Sequence, residues 1–193
     1  ANGAVAIFSE LPNPAAFPVT WVQVGDVRAA MAIAAGNIEG SPSQEFPVIG
    51  ITGTNGKTTT AYLAHHILTS ILHRAGMIGT IQYSTGDAVM EAPHTTPESP
   101  DLQHLFRQMR DSDCRAAVME VSSHGLTQRR VAGVHFDVGI FTNLTQDHLD
   151  FHRSMDEYYA AKRMLFEQID STAGKKGVAI INVDDPYGDR LYK

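Results

Sequence analysis

Short apolar segments alternate with longer segments of helical periodicity along most of the chain. We predict strands in the apolar segments 48–52, 77–81, 116–121, 138–142 and 178–182. We predict helices over 57–75, over the segment opened by Ser99-Pro100, and over 155–168. Strands that alternate with helices in this way are typical of an α/β protein, in which a mostly parallel sheet carries helices on both faces.

The helical segments carry the signals expected of packed helices. In the first helix, the apolar stripe consists of Leu63, Ile67 and Ile71, and Gly76 closes the helix. In the second, the stripe consists of Leu102, Leu105, Phe106 and Met109. Ser154 and Glu157 form a capping box at the start of the third.

Residues 1–46 differ in pattern from the rest. They predict a strand over 19–24 and a short Ala-rich helix from Val27 to Ala35, capped by Asp26 and ended by Gly36. Segment 40–43 (Gly-Ser-Pro-Ser) is typical of a linker. This part is too small for a core of its own. We therefore predict that 1–46 is the end of a smaller N-terminal domain and that the α/β domain occupies 47–193.

Composition narrows the class of protein. An apolar fraction of 43% with 19% charged residues excludes a mainly disordered chain. The net charge of -6 argues against a nucleic-acid binder, because phosphates need a basic surface. No apolar stretch reaches the length of about 18 residues that a membrane span needs. With Cys114 as its one cysteine the chain cannot form an internal disulfide, and we expect a cytoplasmic protein.

The N-terminus, Ala-Asn-Gly-Ala, carries none of the features of a signal peptide. It lacks an initiator Met, and the chain stops a few residues into what the pattern predicts to be a further helix. We interpret the sequence as part of a longer protein, with the α/β domain incomplete at its C-terminal end.

The strongest chemical signal is a glycine-rich loop between the first strand of the α/β domain and its helix. It reads Gly53, Thr54, Asn55, Gly56, Lys57, Thr58 and Thr59. Such a loop directs backbone N–H groups at phosphate oxygens, while the Lys reaches the β/γ-phosphates and the Thr58 hydroxyl holds Mg²⁺. The general pattern has its first Gly at 51, which is Ile51 here, with Gly50 and Gly53 on either side. The order of strand, loop, Lys and helix still predicts a P-loop.

Polar residues follow two further predicted strands. Glu120 lies near the end of one strand, and Asn143 and His148 follow the next. Because ligands bind beyond the carboxyl ends of parallel strands, we expect these side chains near the phosphates. A carboxylate there can hold Mg²⁺, and a neutral imidazole can hold a second cation. His148 and His152 could instead suggest zinc, but a hard cation fits a nucleotide site better.

Taken together, these motifs resemble those of the muramyl ligases, the Mur ligase family. The phosphate loop, the run from Met119 to His124 and the group Asn143 with 147–150 all resemble family motifs. Within the family the resemblance is strongest to the ligases that add the third residue of the peptidoglycan peptide. Its marks are Thr95-Thr96-Pro97, the run from Glu120 to Val131, and Ala160-Ala161-Lys162. It covers about residues 20–193.

The resemblance implies a three-domain enzyme of cell-wall synthesis. Residues 1–46 would end a UDP-binding domain, 47–193 would be the ATP-binding central domain, and the C-terminal domain that binds the amino acid would be absent. The implied reaction uses ATP and Mg²⁺ to join meso-diaminopimelate or L-lysine to UDP-N-acetylmuramoyl-L-alanyl-D-glutamate through an acyl phosphate. ADP and phosphate are released. We expect a monomer.

The resemblance also implies roles for individual residues. Lys57 and the rest of the loop, with Asn143, would bind ATP. Thr58 and Glu120 would hold one Mg²⁺ and His148 a second, supported by Lys162 as a carbamate. The residues matching substrate contacts are Thr95, Thr96, Ser122, Gln128 and Arg130. By spacing alone, Lys162 would be read as a surface lysine.

Two rival hypotheses remain at this stage. One is another ligase on the same scaffold, of the folylpolyglutamate or cyanophycin type. The Thr58-Thr59 pair argues against the folate enzymes, whose loop usually has Gly-Ser there, and the run from Glu120 to Arg130 favours the muramyl substrate. The other rival is a nucleotide-binding fragment with no activity of its own.

Overall fold

The computed structural model of the chain describes residues 3–14, 18–170 and 177–193. Its strands are Ala6–Ser9 (β1), Thr20–Gln23 (β2), Val48–Thr52 (β3), Gly76–Ile78 (β4), Gln82–Ser84 (β5), Val89–Glu91 (β6), Ala117–Glu120 (β7), Val138–Phe141 (β8) and Val178–Ile181 (β9). Its helices are Val27–Ile38 (α1), Lys57–Leu72 (α2), Ser99–Asp111 (α3), Ser123–Thr127 (α4), Met155–Asp170 (α5) and Pro186–Tyr192 (α6).

A single large sheet runs through the described residues in the order β6-β5-β4-β7-β3-β8-β9. The five neighbouring strands β4, β7, β3, β8 and β9 are parallel to one another. Strand β5 pairs antiparallel with both β4 and β6. The prediction of a mostly parallel α/β sheet is therefore confirmed. The β5–β6 hairpin was not predicted, because its strands are short and β6 is exposed on both sides, which leaves no apolar alternation to detect.

Helices cover both faces of the sheet. One core lies between the sheet and the pair α3 and α5, and it includes Phe106, Met119, Phe136 and Leu165. On the opposite face, Ala61 of α2 packs on Ile51 and Val118. The predicted stripe of α3 forms part of the first core, with all four of its side chains buried. Half of the predicted capping box of α5 is formed: Ser154 Oγ accepts a hydrogen bond from the Glu157 amide at 3.2 Å, but the Glu157 carboxylate accepts the amide of Arg153, at 3.0 Å, and not that of Ser154.

Helix α2 presents to the sheet a different side from the one predicted. The side chains of Leu63, Ile67 and Ile71 are each more than half exposed. The contact with the sheet is made instead by the side that carries Ala61, Ala64 and Leu68. This helix carries apolar residues on two sides. The sequence pattern therefore cannot predict which of the two sides packs on the sheet. The helix also ends earlier than predicted, at Leu72, and Gly76 begins β4.

The N-terminal segment packs onto the α/β unit. Strands β1 and β2 form a small parallel pair, and α1 lies against α3. Asp26 caps α1 as predicted, accepting the Ala29 amide at 2.9 Å, but the helix passes through Gly36 and ends at Ile38. Gly36 is buried within the helix and does not end it, and a Cβ at this position would make only ordinary contacts, 3.6 Å from the Gly133 carbonyl oxygen. The predicted linker contains a 3₁₀ turn, Pro42–Gln44, with Pro42 buried.

Among the described residues, no helix is both long enough and apolar enough to cross a membrane.

We expect the docking of α1 to depend on the glycine at position 133. A Cβ at this position would lie 2.3 Å from the Ala32 carbonyl oxygen, and backbone atoms cannot move aside as a flexible side chain can. Gly133→Ala should therefore lower the free energy of unfolding by about 1–3 kcal/mol through overpacking. Gly25→Ala is the matched control, because a Cβ there meets nothing within 4 Å. Denaturant unfolding of both variants checks this, and equal stabilities would contradict it.

Candidate functional site

The glycine-rich loop lies between β3 and α2 and has a conformation that requires glycine. Gly53 has a φ of 145° and Gly56 a φ of 84°, a region that side chains disfavour. A Cβ on Gly53 would lie 1.9 Å from Thr142 Oγ1, so the loop and the end of β8 are in close contact. Gly56 caps α2, whose N-terminal amides carry partial positive charge. The loop is thus shaped to bind an anion.

The residues that follow β8 hold this loop in place. The Asn143 side chain pairs with the Asn55 backbone, accepting its amide and donating to its carbonyl, both at 3.0 Å. The Thr54 amide donates to the Asn143 carbonyl at 2.9 Å. Thr142 Oγ1 donates to the Asn55 carbonyl at 2.7 Å. Asn143, predicted as a nucleotide-binding residue, therefore also fixes the shape of the loop.

Two lysines donate to the same backbone oxygen. Lys57 Nζ lies 3.0 Å and Lys162 Nζ 2.7 Å from the carbonyl oxygen of Gly53. Burial lowers the pKa of Lys57, against the opposing charges of Glu120 and Asp147. Burial, and then the charge of Lys57, hold the pKa of Lys162 well below its usual range.

The reading of Lys162 as a surface lysine from spacing alone is wrong, since only 1% of the residue is exposed. Helical spacing places it on α5 but cannot reveal that the phosphate loop and the ring of Tyr158 cover it. Its Nζ lies 4.5 Å from the centre of that ring.

Glu120 is fully buried at the end of β7 and is held by two threonines. Its Oε2 accepts hydrogen bonds from Thr58 Oγ1 at 2.9 Å and Thr80 Oγ1 at 3.1 Å, and its Oε1 accepts the Thr80 amide at 2.8 Å. A carboxylate beside a hydroxyl forms a set of hard oxygen donors, which suits Mg²⁺ completed by phosphate oxygens and water. Within the described part of the chain, no group of three or more His, Cys, Asp or Glu residues could hold a metal ion.

The loop after β8 carries a group of aromatic side chains. His148, predicted as a metal ligand, is exposed and has a φ of 51°. Its ring meets those of His124 and Tyr158 edge-on, with centroids 5.0 and 6.1 Å apart. His152 is buried, and its ring stacks on Tyr158 at 4.9 Å. His148 and Lys162 thus contact the same ring, that of Tyr158.

The predicted substrate residues form a second cluster beside Glu120. Thr96 is buried, and its Oγ1 lies 3.0 Å from the Glu120 carbonyl and 3.1 Å from Ser122 Oγ. Arg130 Nη1 donates to the Thr96 carbonyl at 2.8 Å. Thr95 Oγ1 lies 3.1 Å from Thr80 Oγ1, which in turn donates to Glu120. The structure thus joins this cluster to the proposed metal ligand through a chain of hydroxyl groups.

Glu98 and Arg28 belong to this cluster but were not predicted. Arg130 Nε forms an ion pair with Glu98 Oε1 at 2.9 Å, and Arg28 Nη2 forms one with Glu98 Oε2 at 2.6 Å. Arg28 also donates to the carbonyl of Gln128 at 2.5 Å, whereas the Gln128 side chain has no hydrogen bond in this cluster. Arg28 comes from α1, about 100 residues earlier, so no local pattern could have identified it.

Thr80, Thr142, Thr145 and Tyr158 were also missed. Thr80 bonds to Glu120, and the other three bond to the phosphate loop. In the sequence, Thr80 and Thr142 lie within predicted strands, Thr145 follows one, and Tyr158 lies one helical turn before Lys162, so no local signal identified them.

Comparison with known proteins agrees with this arrangement. Residues 51–193 match the Mur ligase middle domain. A UDP-N-acetylmuramoyl-L-alanyl-D-glutamate–2,6-diaminopimelate ligase of Geobacter metallireducens is 50% identical over 193 residues, which cover 98% of this chain and 38% of the relative. A ligase of the same name from Listeria monocytogenes is 44% identical over 99% of this chain and 39% of its own length. The chain therefore spans less than two-fifths of these relatives.

Solved structures show the same fold. The structure of a UDP-N-acetylmuramoyl-L-alanyl-D-glutamate–2,6-diaminopimelate ligase superposes on this chain with a TM-score of 0.80 at 30% identity. The match covers 99% of this chain and 37% of the solved chain. A folylpolyglutamate synthase of Mycobacterium tuberculosis has a TM-score of 0.61 at 21% identity, over 86% of this chain and 43% of its own. At that identity the likeness extends to the fold alone. Because the middle-domain match covers well over half of its residues, this chain belongs to the Mur ligase family, as its motifs predicted.

Proposed function

We propose that this chain is the ATP-binding part of a ligase that adds diaminopimelate to UDP-N-acetylmuramoyl-L-alanyl-D-glutamate. The observation that carries the proposal is the joining of two clusters at one carboxylate. Glu120 bonds to Thr58 of the phosphate loop, and through Thr80 it is linked to Thr95 in the substrate cluster. A phosphate donor and a phosphate acceptor would meet at this place. The choice of diaminopimelate rests on the names of the relatives.

The proposed enzyme is longer than this chain, which spans 38% of the Geobacter relative. We assign residues 1–46 to the end of a UDP-binding domain and 47–193 to the central domain. The domain that binds the amino acid then lies elsewhere in the complete protein. On this proposal the 193-residue chain alone binds nucleotide but has no ligase activity.

In the nucleotide site, loop amides and Lys57 would contact the phosphates, while Asn143 keeps the loop in shape. Thr58 and Glu120 would hold Mg²⁺, which neutralises charge as phosphate is transferred. Lys57 now donates to the carbonyls of Gly53 and Thr54, at 3.0 and 2.9 Å. These contacts hold its ammonium group within the loop, ready to turn toward a bound phosphate.

In the substrate site, Thr95, Thr96, Ser122, Gln128 and Arg130 would hold the dipeptide so that its terminal carboxylate faces the γ-phosphate of ATP. An oxygen of that carboxylate attacks the γ-phosphorus, which yields an acyl phosphate and ADP. The amine of diaminopimelate then attacks the acyl carbon and releases phosphate and a proton. The protein's contribution is orientation and fixed positive charge, the main source of catalysis in phosphoryl transfer.

We also propose that Lys162 carries a carbamate, formed when its neutral amine adds to CO₂ with loss of a proton. The support is its burial and its place beside Lys57, both of which lower its pKa and so favour the neutral amine. The carbamate would remove the repulsion between two ammonium groups and, with His148, supply a ligand for a second cation. No feature of the described residues favours a folate substrate, whose enzyme shares only the fold.

Removing the charge of Lys57 should abolish ligation. In the complete enzyme, we expect Lys57→Ala to lower kcat by at least about 100-fold, because the transferred phosphate loses a fixed positive charge. Release of phosphate, measured with all three substrates present, checks this. Near-normal turnover in a folded variant would remove Lys57 from the site.

A second prediction concerns the carbamate. Lys162→Ala should be nearly inactive in the complete enzyme and partly restored by short carboxylates, which replace the missing anion. The measurement is turnover with and without added acetate or formate. An unmodified Lys162 exposed to solvent in a nucleotide-bound structure of the complete enzyme would count against the proposal.

The lowered pKa of Lys162 has its own consequence for pH dependence. In CO₂-free buffer, the Lys162 amine of the folded protein should lose its proton at a pH below the ordinary lysine value of about 10.4. The unfolded chain then binds more protons than the folded one in this window, so the contribution of Lys162 to stability rises with pH. NMR titration of ¹³Cε-labelled lysine, assigned with Lys162→Met, measures this. A titration at or above 10.4 would contradict it.

The last prediction assigns Arg130 to the peptide substrate. Arg130→Lys keeps the charge but loses the forked guanidinium, so the KM for the UDP-dipeptide should rise about tenfold, equivalent to about 1.4 kcal/mol. The KM for ATP should change little. Arg129→Lys is the matched control, because Arg129 is exposed and pairs with Asp26. If both variants behave like wild type, or if the KM for ATP moves instead, Arg130 does not have this role.

A further inference from the structure

Tyr158 contacts both the phosphate loop and Lys162, yet no role was predicted for it. It lies one turn before Lys162 on α5, and only 1% of the residue is exposed. Its hydroxyl reaches Thr54 of the phosphate loop, and its ring contacts Lys162, His148 and His152. The packing thus connects α5 with the loop that lies about 100 residues earlier.

The hydrogen bonds of Thr54 determine the direction of the Tyr158 contact. Thr54 Oγ1 donates to the Thr145 carbonyl at 3.2 Å and accepts the Thr145 amide at 3.1 Å. A hydroxyl has one hydrogen and accepts two bonds, so its remaining contact, with Tyr158 Oη at 3.2 Å, has Tyr158 as the donor. The Thr54 hydroxyl then makes all three of the hydrogen bonds that it can make, one as donor and two as acceptor.

The ring of Tyr158 packs against Lys162 and His152. Lys162 Nζ lies 4.5 Å from the ring centre, so the ring packs against the end of the Lys162 side chain. The His152 ring stacks at 4.9 Å with an interplanar angle of 28°. One side chain therefore fixes both the loop conformation, through its hydroxyl, and the place of Lys162, through its ring.

We propose that Tyr158 is a positioning residue for the nucleotide, whose hydroxyl holds Thr54 so that the loop amides stay directed at the phosphates. The proposal rests on the proposed ATP site. It predicts that loss of the hydroxyl weakens ATP binding and leaves binding of the UDP-dipeptide unchanged, since Thr54 lies in the phosphate loop and not in the Thr96–Arg130 cluster.

The test uses the complete ligase with the change Tyr158→Phe, which keeps the ring and removes the hydroxyl. We expect the Kd for ATP with Mg²⁺, measured by calorimetry, to rise about fivefold, the effect of one hydrogen bond between uncharged groups. The KM for the UDP-dipeptide should stay within about twofold, because no hydrogen bond in that cluster is lost. Tyr159→Phe is the matched control: this neighbour is also buried, but its ring packs against Tyr187 and Arg190.

A double-mutant cycle identifies Thr54 as the residue through which Tyr158 acts. Thr54→Ala should weaken ATP binding by itself, and adding Tyr158→Phe to it should change the Kd by less than about twofold, because the shared bond is already gone. Additive effects of the two changes would overturn the proposal. So would a Tyr158→Phe variant that unfolds, binds ATP as wild type does, or loses affinity for both substrates equally.

The calorimetric measurement also separates this inference from the proposed function. A wild-type enzyme that binds ATP but releases no phosphate with the UDP-dipeptide and diaminopimelate would contradict the proposed reaction alone. A wild-type enzyme that binds no ATP would contradict both.

Discussion

The nucleotide site is organised around one backbone oxygen, the carbonyl of Gly53, which accepts hydrogen bonds from the ammonium groups of Lys57 and Lys162. Two buried positive charges that share one neutral acceptor repel each other, and this repulsion adds to burial in lowering the pKa of Lys162. An anion placed beside them would relieve the repulsion. The lowered pKa of Lys162 also favours the neutral amine from which the proposed carbamate would form.

The fold brings these groups together by strand order. β3 lies between β7 and β8, so the loop that follows β3 meets Glu120 on one side and Thr142 with Asn143 on the other. Helix α5 then passes over the same edge and delivers Lys162 and Tyr158 from the face opposite α2. Gly53 allows the close approach, since any Cβ would overlap Thr142. The arrangement therefore follows from the order of parallel strands together with one glycine.

The sequence predicts well those features that depend only on residues close together in the chain. The phosphate loop needs glycines, Lys57 and Thr58 in a fixed order between a strand and a helix, and the parallel strands need only apolar runs. The stripe of α2 could not be assigned to a face, because both faces are apolar. The environment of Lys162, and the partners Thr80, Arg28 and Tyr158, depend on contacts between distant segments that no spacing reveals. Family resemblance indicated a special role for Lys162, while its burial became visible only in the fold.

We propose above all that this site transfers the γ-phosphate of ATP to a substrate carboxylate. The most direct measurement traces a labelled oxygen atom. The complete enzyme is supplied with ATP, diaminopimelate and a UDP-dipeptide in which both oxygens of the carboxylate that is ligated are ¹⁸O. If the carboxylate attacks the γ-phosphorus, one labelled oxygen leaves with each inorganic phosphate released, and mass spectrometry of the phosphate detects it. Phosphate free of label after ligation, or label found in AMP, would contradict the account.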